Sequence, residues 1–343
     1  MVAARSAAEV AAPRFSILVI TRGPSLHVAR FLRSIGRLHG IERAEVLVGL
    51  NGSARSEAIE RLARRFLPSV PLEVISFSQA ERGRARNYLL TNAKAPLVLF
   101  ADDDIEVPPD LLARFDAAMS DPDIAVAGGP NLTPKRSTTF EELAGRVLAS
   151  ALGTGPVRHR YRTEPPGRLT DRNMSLACLL VRRSVVADRG FDDSLKSAEE
   201  NELVARIAHA SWRMVYRPDL AVYHHRRDTL GRYFRQMLQY GFGRGQMLVR
   251  AFSWDQVPFA VPSVLLAAFP AAVIVVPTVA GAAAAAYLFI VAAGAVGLAG
   301  LRTAPTAAAL LAATHFGYAL GLIAGVAYDI GRWTARALRA SAA

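Results

Sequence analysis

Three aspartates, Asp102, Asp103 and Asp104, stand together in "LVLFADDDIEVPPDLL" (97–112), directly after an apolar run. Adjacent carboxylates repel one another unless a cation is near. Such a group suits a divalent metal, Mg²⁺ or Mn²⁺, which takes carboxylate and diphosphate oxygens together. In extended chain the first and third side chains point the same way, so Asp102 and Asp104 can face one ligand. The competing structural reading is a turn or cap before the next helix, but three acids without a compensating role make a poor cap. A second acidic cluster, Glu199, Glu200 and Glu202, opens "EENELVARIAH". Acids favour a helix N-terminus, and Glu202 has Arg206 four residues on, which accounts for Glu202. Glu199 and Glu200 each offer a carboxylate fit for a general base; on spacing alone the catalytic and structural readings stand level. "DLAVYHHRR" (219–227) brings His224 and His225 to a strand end. Neutral imidazole is a metal ligand, although an isolated His pair is more often structural or solvated.

The elements around these residues alternate in period. "FSILVI" (15–20), "AEVLVGL" (44–50), "LEVISF" (72–77), "PLVLFA" (96–101) and "IAVAGG" (124–129) read as strands, the most apolar of them buried on both faces. Residues 25–36, 55–67, 84–93 and 109–119 read as helices between them, the last opened by Pro108 and Pro109. This order predicts an α/β fold, a mostly parallel sheet with helices on both faces. Ligands of such sheets sit at the carboxyl ends of the strands, where Thr21, Arg22, Asn51 and the aspartates fall. No P-loop and no G-x-G-x-x-G follows the first strand, which argues against a dinucleotide or Walker-type site. Residues 153–173, rich in Gly, Pro and Arg, read as a long substrate-facing loop.

Apolar residues make up 52% of the 343 and are concentrated near the end. Residues 256–301 and 303–328 contain no Asp, Glu, Lys or Arg. About 20 apolar residues cross a bilayer, so the first stretch can cross twice, turning near Pro277, and the second once. Three crossings would place Arg332, Arg336 and Arg339 opposite the α/β region, against the positive-inside tendency; otherwise one segment re-enters or lies in the interface. The net charge of +12 includes Arg226, Arg227, Arg232, Arg235, Arg244 and Arg250, read as charge flanking a membrane and touching anionic headgroups. No nucleic-acid motif accompanies it. The single cysteine, Cys178, excludes an intramolecular disulfide and has the apolar setting of a core residue. Residues 1–13 read as a flexible lead-in without a signal-peptide core, which puts the α/β region in the cytoplasm. The expected division is therefore 14–250 for that region, 251–330 for two to three transmembrane helices and 331–343 for a basic tail.

Taken in order, the segments resemble family 2 glycosyltransferases with the GT-A (Rossmann-like) fold. The resemblance rests on "EVLVGLNGS", "GRARN" (83–87), "FADDD", "AEENEL" (198–203) and "RPDLAVYHHRR", and covers about residues 14–250. "FRQMLQYGFGRGQ" (234–246) and "THFGYALGLIAG" (314–325) look like bacterial membrane-associated transferases of the succinoglycan exopolysaccharide type. The Q-x-x-R-W motif of processive synthases is absent, which argues for single-sugar addition. The resemblance implies an inverting, metal-dependent transferase in a bacterial inner membrane, multi-pass, with its catalytic domain cytoplasmic. It would move a sugar from a nucleoside-diphosphate sugar to a lipid-linked (polyprenyl-diphosphate) saccharide. Thr21, Arg22, Asn51, Arg86, Asp102 and Asp103 would bind the nucleotide sugar, Asp103 with the least defined part. Asp104 with His224 would hold the metal, Glu200 would be the base with Glu199 as the other choice, and Arg235 or Arg244 would face the acceptor diphosphate or merely lipid phosphate. Asn51 and Glu200 both stand where Asp is common in the family. The alternatives are a polyprenyl-monophosphate sugar synthase and a non-catalytic nucleotide-sugar-binding scaffold.

Overall fold

The computed structural model describes residues 12–341, except 53, 54, 79, 171, 251 and 253 and the side chains of 255 and 336–341. Most of the expected lead-in, 1–13, thus lies outside the described residues, as does the end of the basic tail. The first part of the chain contains β1 (Phe15–Thr21), α1 (Leu26–Ile35), β2 (Ala44–Asn51), α2 (Ser56–Phe66), β3 (Leu72–Phe77), α3 (Arg82–Asn92), β4 (Leu97–Asp102), β5 (Ile105–Glu106), α4 (Leu111–Ala118), β6 (Ile124–Gly128) and β7 (Asn131–Leu132). Then follow α5 (Thr139–Leu148), α6 (Ala151–Thr154), β8 (Gly167–Arg168), β9 (Cys178–Arg182), α7 (Arg183–Val186), α8 (Glu199–His209), β10 (Arg213–Tyr216) and β11 (Val222–His224). Four long helices close the chain: α9 (Leu230–Arg250), α10 (Val257–Val275), α11 (Pro277–Ala299) and α12 (Ala304–Ser341).

Alternate residues of the central strands feed two cores. Ile17, Val19, Val46, Val48 and Leu99 enter one, while Leu18, Leu47, Val98 and Phe100 enter the other. That is why these strands read as unbroken apolar runs. The eight-stranded sheet has the order β3-β2-β1-β4-β9-β6-β10-β8. β3, β2, β1 and β4 are parallel. β9 lies antiparallel between β4 and β6. The sequence places Cys178 correctly in the core but not on a strand; its thiol is buried and burial pushes its pKa up.

A second, three-stranded sheet, β5-β11-β7, positions the site. β5 immediately follows the aspartates, and His224 of β11 pairs with Ile105. The backbone N–H of His225 donates to the Asp104 carbonyl at 3.0 Å. This short ladder carries the histidines to the aspartates.

The apolar region departs from the expected division. α10 and α11 turn at Val276, close to the expected point, but α12 runs unbroken through residue 330 to Ser341. α12 packs side by side with α9 through glycines. A Cβ at Gly317, Gly321 or Gly325 would lie 3.2, 2.1 or 2.1 Å from the carbonyl oxygen of Phe234, Leu238 or Phe242, respectively. The contacts advance in step along both helices, so the two run parallel. In return, a Cβ at Gly241 or Gly245 would meet the carbonyl oxygen of Tyr318 or Leu322 at 2.0 and 2.3 Å. Small residues at four-residue spacing let helix backbones approach this closely.

Gly321→Ala should therefore cost about 1–3 kcal/mol of stability through overpacking, read as a lower unfolding midpoint in detergent. Gly231→Ala, with open space around it, should stay within about 0.5 kcal/mol. Equal effects of the two substitutions would contradict the close packing.

Candidate functional site

The aspartates sit at the carboxyl end of β4, beside the end of β1, as their place in the sheet requires. Asp102, Asp104 and His224 present ligand atoms that all lie within 4.8 Å of one another. His224 Nε2 is 2.8 Å from Asp104 Oδ1, and Arg227 Nη1 is 3.3 Å from Asp104 Oδ2. Burial opposes the Asp104 charge, but His224 and Arg227 outweigh it and hold the carboxyl well below the usual range. Asp103 differs. Burial pushes it up to about 6, against the Thr21 hydroxyl that hydrogen-bonds it, and the charges of Asp104 and Asp102 add to the rise. The donor set, two carboxylates and one imidazole, fits a divalent ion such as Mn²⁺. His224 Nδ1 is buried without a hydrogen-bond partner among the described residues, so the ring is held only through Nε2.

The sequence marks Asp104 and His224 as a metal pair; the structure brings Asp102 into the same group. It also adds His27, which the sequence reading passes over. His27 packs against His225 with ring centroids 5.1 Å apart and planes tilted by 51°, and burial lowers its pKa. His225 Nε2 lies 2.8 Å from Glu106 Oε1. Nothing in the spacing of position 27, on the first turn of α1, signals this.

"GRARN" ties the aspartates to the second acidic cluster. Arg86 reaches Asp102 Oδ1 at 3.6 Å on one side and forms an ion pair with Glu199 on the other. Asn87 clamps the chain ahead of α8: its Nδ2 donates to the Phe191 carbonyl at 2.8 Å, and its Oδ1 accepts from Phe191 N–H at 2.7 Å. Gly83 lets this helix approach, because a Cβ there would lie 2.9 Å from the Asp192 carbonyl oxygen. α8 itself begins at Ala198, which holds a left-handed backbone at φ 63°. Strain of this kind persists only where the surroundings enforce it. Here Gly243 of α9 presses on the turn, its Cβ position 2.8 Å from Ala198 Cβ.

The two glutamates are thereby separated. Glu199 is 2% exposed and paired with Arg86. Glu200 lines a cavity of about 280 Å³ with Arg160, Tyr161, Tyr240, Arg244 and Phe259. Burial raises the Glu200 pKa and the Glu199 charge adds to it, while Arg86 opposes. The cavity lies between the α/β region and the apolar helices, since Pro262 of α10 and His315 and Tyr318 of α12 complete its wall. Residues 151–157, with Arg160 and Tyr161, form another side, so the first part of the expected substrate-facing loop lies here.

The remaining nucleotide-site residues lie at strand ends. Asn51 Nδ2 donates to the Ala80 carbonyl at 2.7 Å, and its buried Oδ1 has no hydrogen-bond partner among the described residues. Arg22 is exposed. Among the arginines read as lipid-facing, Arg226 is buried against Asn131 and over the Tyr161 ring, Arg227 pairs with Asp104, and Arg250 pairs with Asp329. Arg244 is buried over the Phe259 ring at 4.3 Å and lines the cavity. Arg232 and Arg235 are exposed, and Arg235 is not among the cavity residues. Arg226, Arg227 and Arg250 thus have internal partners that charge density alone does not reveal, because those partners come from distant segments.

Residues 7–243 match the model of the family described as glycosyltransferase like family 2, more than half of the chain. The chain belongs to glycosyltransferase family 2. This transferase is similar over most of its length to a mannosyltransferase from Pyrobaculum calidifontis, PcManGT, solved in complex with GDP-Man and Mn²⁺. The likeness has a TM-score of 0.60 at 19% identity and covers 90% of this chain and 87% of that one. It is similar also to S. aureus TarS 1–349 in complex with UDP-GlcNAc, with TM-score 0.51, 16% identity, and 93% and 92% of the two chains. At these identities both show the GT-A fold alone. No curated protein matches the sequence. The enzyme is thus a GT-A glycosyltransferase that uses nucleotide sugars, followed by three helices long and apolar enough to cross a membrane.

Replacing Arg86 by Met leaves Glu199 buried without its partner. The expected loss is about 3–5 kcal/mol in denaturant unfolding. A loss of about 0–1 kcal/mol, as for an exposed pair, would contradict the bridging role.

Proposed function

We propose that this enzyme adds a single sugar, with inversion, from a nucleoside-diphosphate sugar to a lipid-linked saccharide at a membrane. The observation that carries the reading is the position of Glu200. It faces a cavity whose far wall is made of the apolar helices, while Glu199 is held by Arg86. An acceptor carried on a polyprenyl diphosphate can present its hydroxyl to Glu200 and leave its apolar chain near α10 and α12. Arg244 and Arg160, beside Glu200 in the same cavity, suit the diphosphate of that acceptor. Arg235, at the exposed surface, suits lipid phosphate instead.

Thr21, Arg22, Asn51, Arg86, Asp102 and Asp103 are the groups for the nucleotide sugar. The unpaired Asn51 oxygen can accept a hydrogen bond from a base N–H. Asp102, Asp104 and His224 are the groups for a divalent cation, which would offset the charge gathering on the leaving diphosphate. In the transfer, the Glu200 carboxylate takes the acceptor hydroxyl proton as that oxygen bonds to the anomeric carbon. The bond from the anomeric carbon to the diphosphate breaks, and its electron pair leaves with the nucleoside diphosphate. The cytoplasmic side of a bacterial inner membrane is the proposed location, and polysaccharide or envelope-glycan synthesis the proposed role.

Glu200→Gln should lower turnover by about 10²–10⁴-fold, the usual share of a general base, with nucleotide binding retained by calorimetry. Near-normal turnover in that variant would sink the assignment. The sign of the pH effect follows from the raised Glu200 pKa. The base form is lost as pH falls through a value above the ordinary 4.5. Turnover should therefore climb along a limb displaced upward from the usual carboxylate range, and Glu200→Gln should flatten it.

A further inference from the structure

α12 meets the length and apolarity of a membrane span, yet half of that span is buried inside the protein, against 11% for α10 and 17% for α11. The catalytic domain buries it at both ends, and α10 and α11 pack beside its first half. Near its start, Ala307, Leu310 and Leu311 share a core with Leu143, Val147 and Leu148 of α5. His315 Nε2 then meets the Leu152 carbonyl of α6 at 2.7 Å. Towards its end, Asp329 takes Arg250 Nε at 2.5 Å and Gln246 Nε2 at 3.2 Å. Arg250 reaches on to Ser194 Oγ at 2.6 Å, and Lys196 lies 5.4 Å from the centre of the Tyr328 ring. Between these points run the glycine contacts with α9, and the buried Tyr233 hydroxyl lies 2.8 Å from that of Thr314.

The stretch from Ala307 to Asp329 rises about 33 Å, a full hydrocarbon thickness of about 30 Å. If α12 crossed, α5 and the 192–196 segment would lie on opposite sides of the bilayer. Both belong to one soluble α/β domain, and the backbone between them includes loops that lipid cannot accommodate.

The exposed face of α12 agrees. Phe316, Leu320, Ile323 and Ile330 are exposed, and with Ala327 they form one stripe opposite the glycines. A helix sealed to protein on one face along its length offers only the other face to lipid. α11 packs beside α12 from its end back to Tyr287, whose hydroxyl lies 3.1 Å from His315 Nδ1; the turn that joins α10 to α11 extends beyond these contacts. There Ile274 and Val275 are 81% and 76% exposed, in a run with no charged residue.

We infer that the bilayer receives a single hairpin, α10–α11, and that α12 lies in the plane of the membrane surface beneath the catalytic domain. This rests on the membrane reading given above. It places Arg332, Arg336 and Arg339 on the catalytic side and removes the conflict with the positive-inside tendency. The lipid partner contacts the hairpin and the Phe316–Ile330 stripe.

Sealed membrane vesicles of known orientation test this, using an impermeant maleimide on single-cysteine variants built on Cys178→Ala. Glu60→Cys, on the exposed face of α2, reports the catalytic side, and Ala335→Cys reports the end of α12; both positions are exposed. Labelling of the two from the same side is expected. Labelling from opposite sides would overturn the inference. So would labelling of Ala335→Cys from neither side until detergent is added, because its helix end would then be in hydrocarbon. Release of the unmodified chain into the supernatant on washing would fail the membrane reading itself, and this inference with it.

Discussion

The structure depends on one guanidinium. Arg86 lies between Asp102, at the end of a sheet strand, and Glu199, at the start of a helix from a distant part of the chain. Five carboxylates, Asp102 to Asp104 with Glu199 and Glu200, gather at this edge, and their mutual repulsion must be met by fixed cations. Arg86 meets it for Asp102 and Glu199, and Arg227 meets it for Asp104, which His224 Nε2 also approaches at 2.8 Å. The two groups left outside these pairs have the shifts that follow: Asp103 is pushed up to about 6, and Glu200 is raised. A division of labour follows from charge balance. The paired acids shape the site, and Glu200, whose charge Arg86 and Arg160 only partly offset, faces the cavity where the proposed reading needs a base.

Backbone contact extends the same arrangement to the apolar C-terminal helices. Gly243 presses on the left-handed turn at Ala198 that starts α8, while Gly241 and Gly245 receive α12. One helix, α9, therefore touches the turn that presents Glu200 on one side and α12 on the other. The cavity forms at this junction, so its walls come from both parts of the chain. On the proposed reading, the acceptor's lipid and its reacting hydroxyl are accommodated by elements that pack on one another directly.

Much of the α/β fold was legible. The five strands read from apolar runs are present within a residue or two, because burial on both faces leaves a continuous signal. β9 was not legible as a strand; its five residues lie antiparallel between two parallel strands, an arrangement that local pattern does not encode. In the site, the aspartates, the glutamates and His224 announced themselves by type and clustering. Their pairing did not, because Arg86 and Glu199 are joined only through the fold. His27 and Arg227 carried no signal, and the arginines read as membrane-flanking turned out to include internal partners for distant acids. Apolarity revealed the C-terminal helices, but it could not separate a helix that crosses lipid from one whose other face is sealed to protein by glycines.

The central claim is that the acidic cluster at the end of β4 is built for a divalent cation shared with a diphosphate. Calorimetric titration of the full-length protein in detergent with GDP and with UDP, each with Mn²⁺ and with chelator, tests it most directly. The account predicts that at least one of the two binds tenfold or more tighter with Mn²⁺, about 1.4 kcal/mol or above, and that Asp104→Ala abolishes the gain. Equal affinity with and without the cation, or no binding of either nucleotide in its presence, would contradict it.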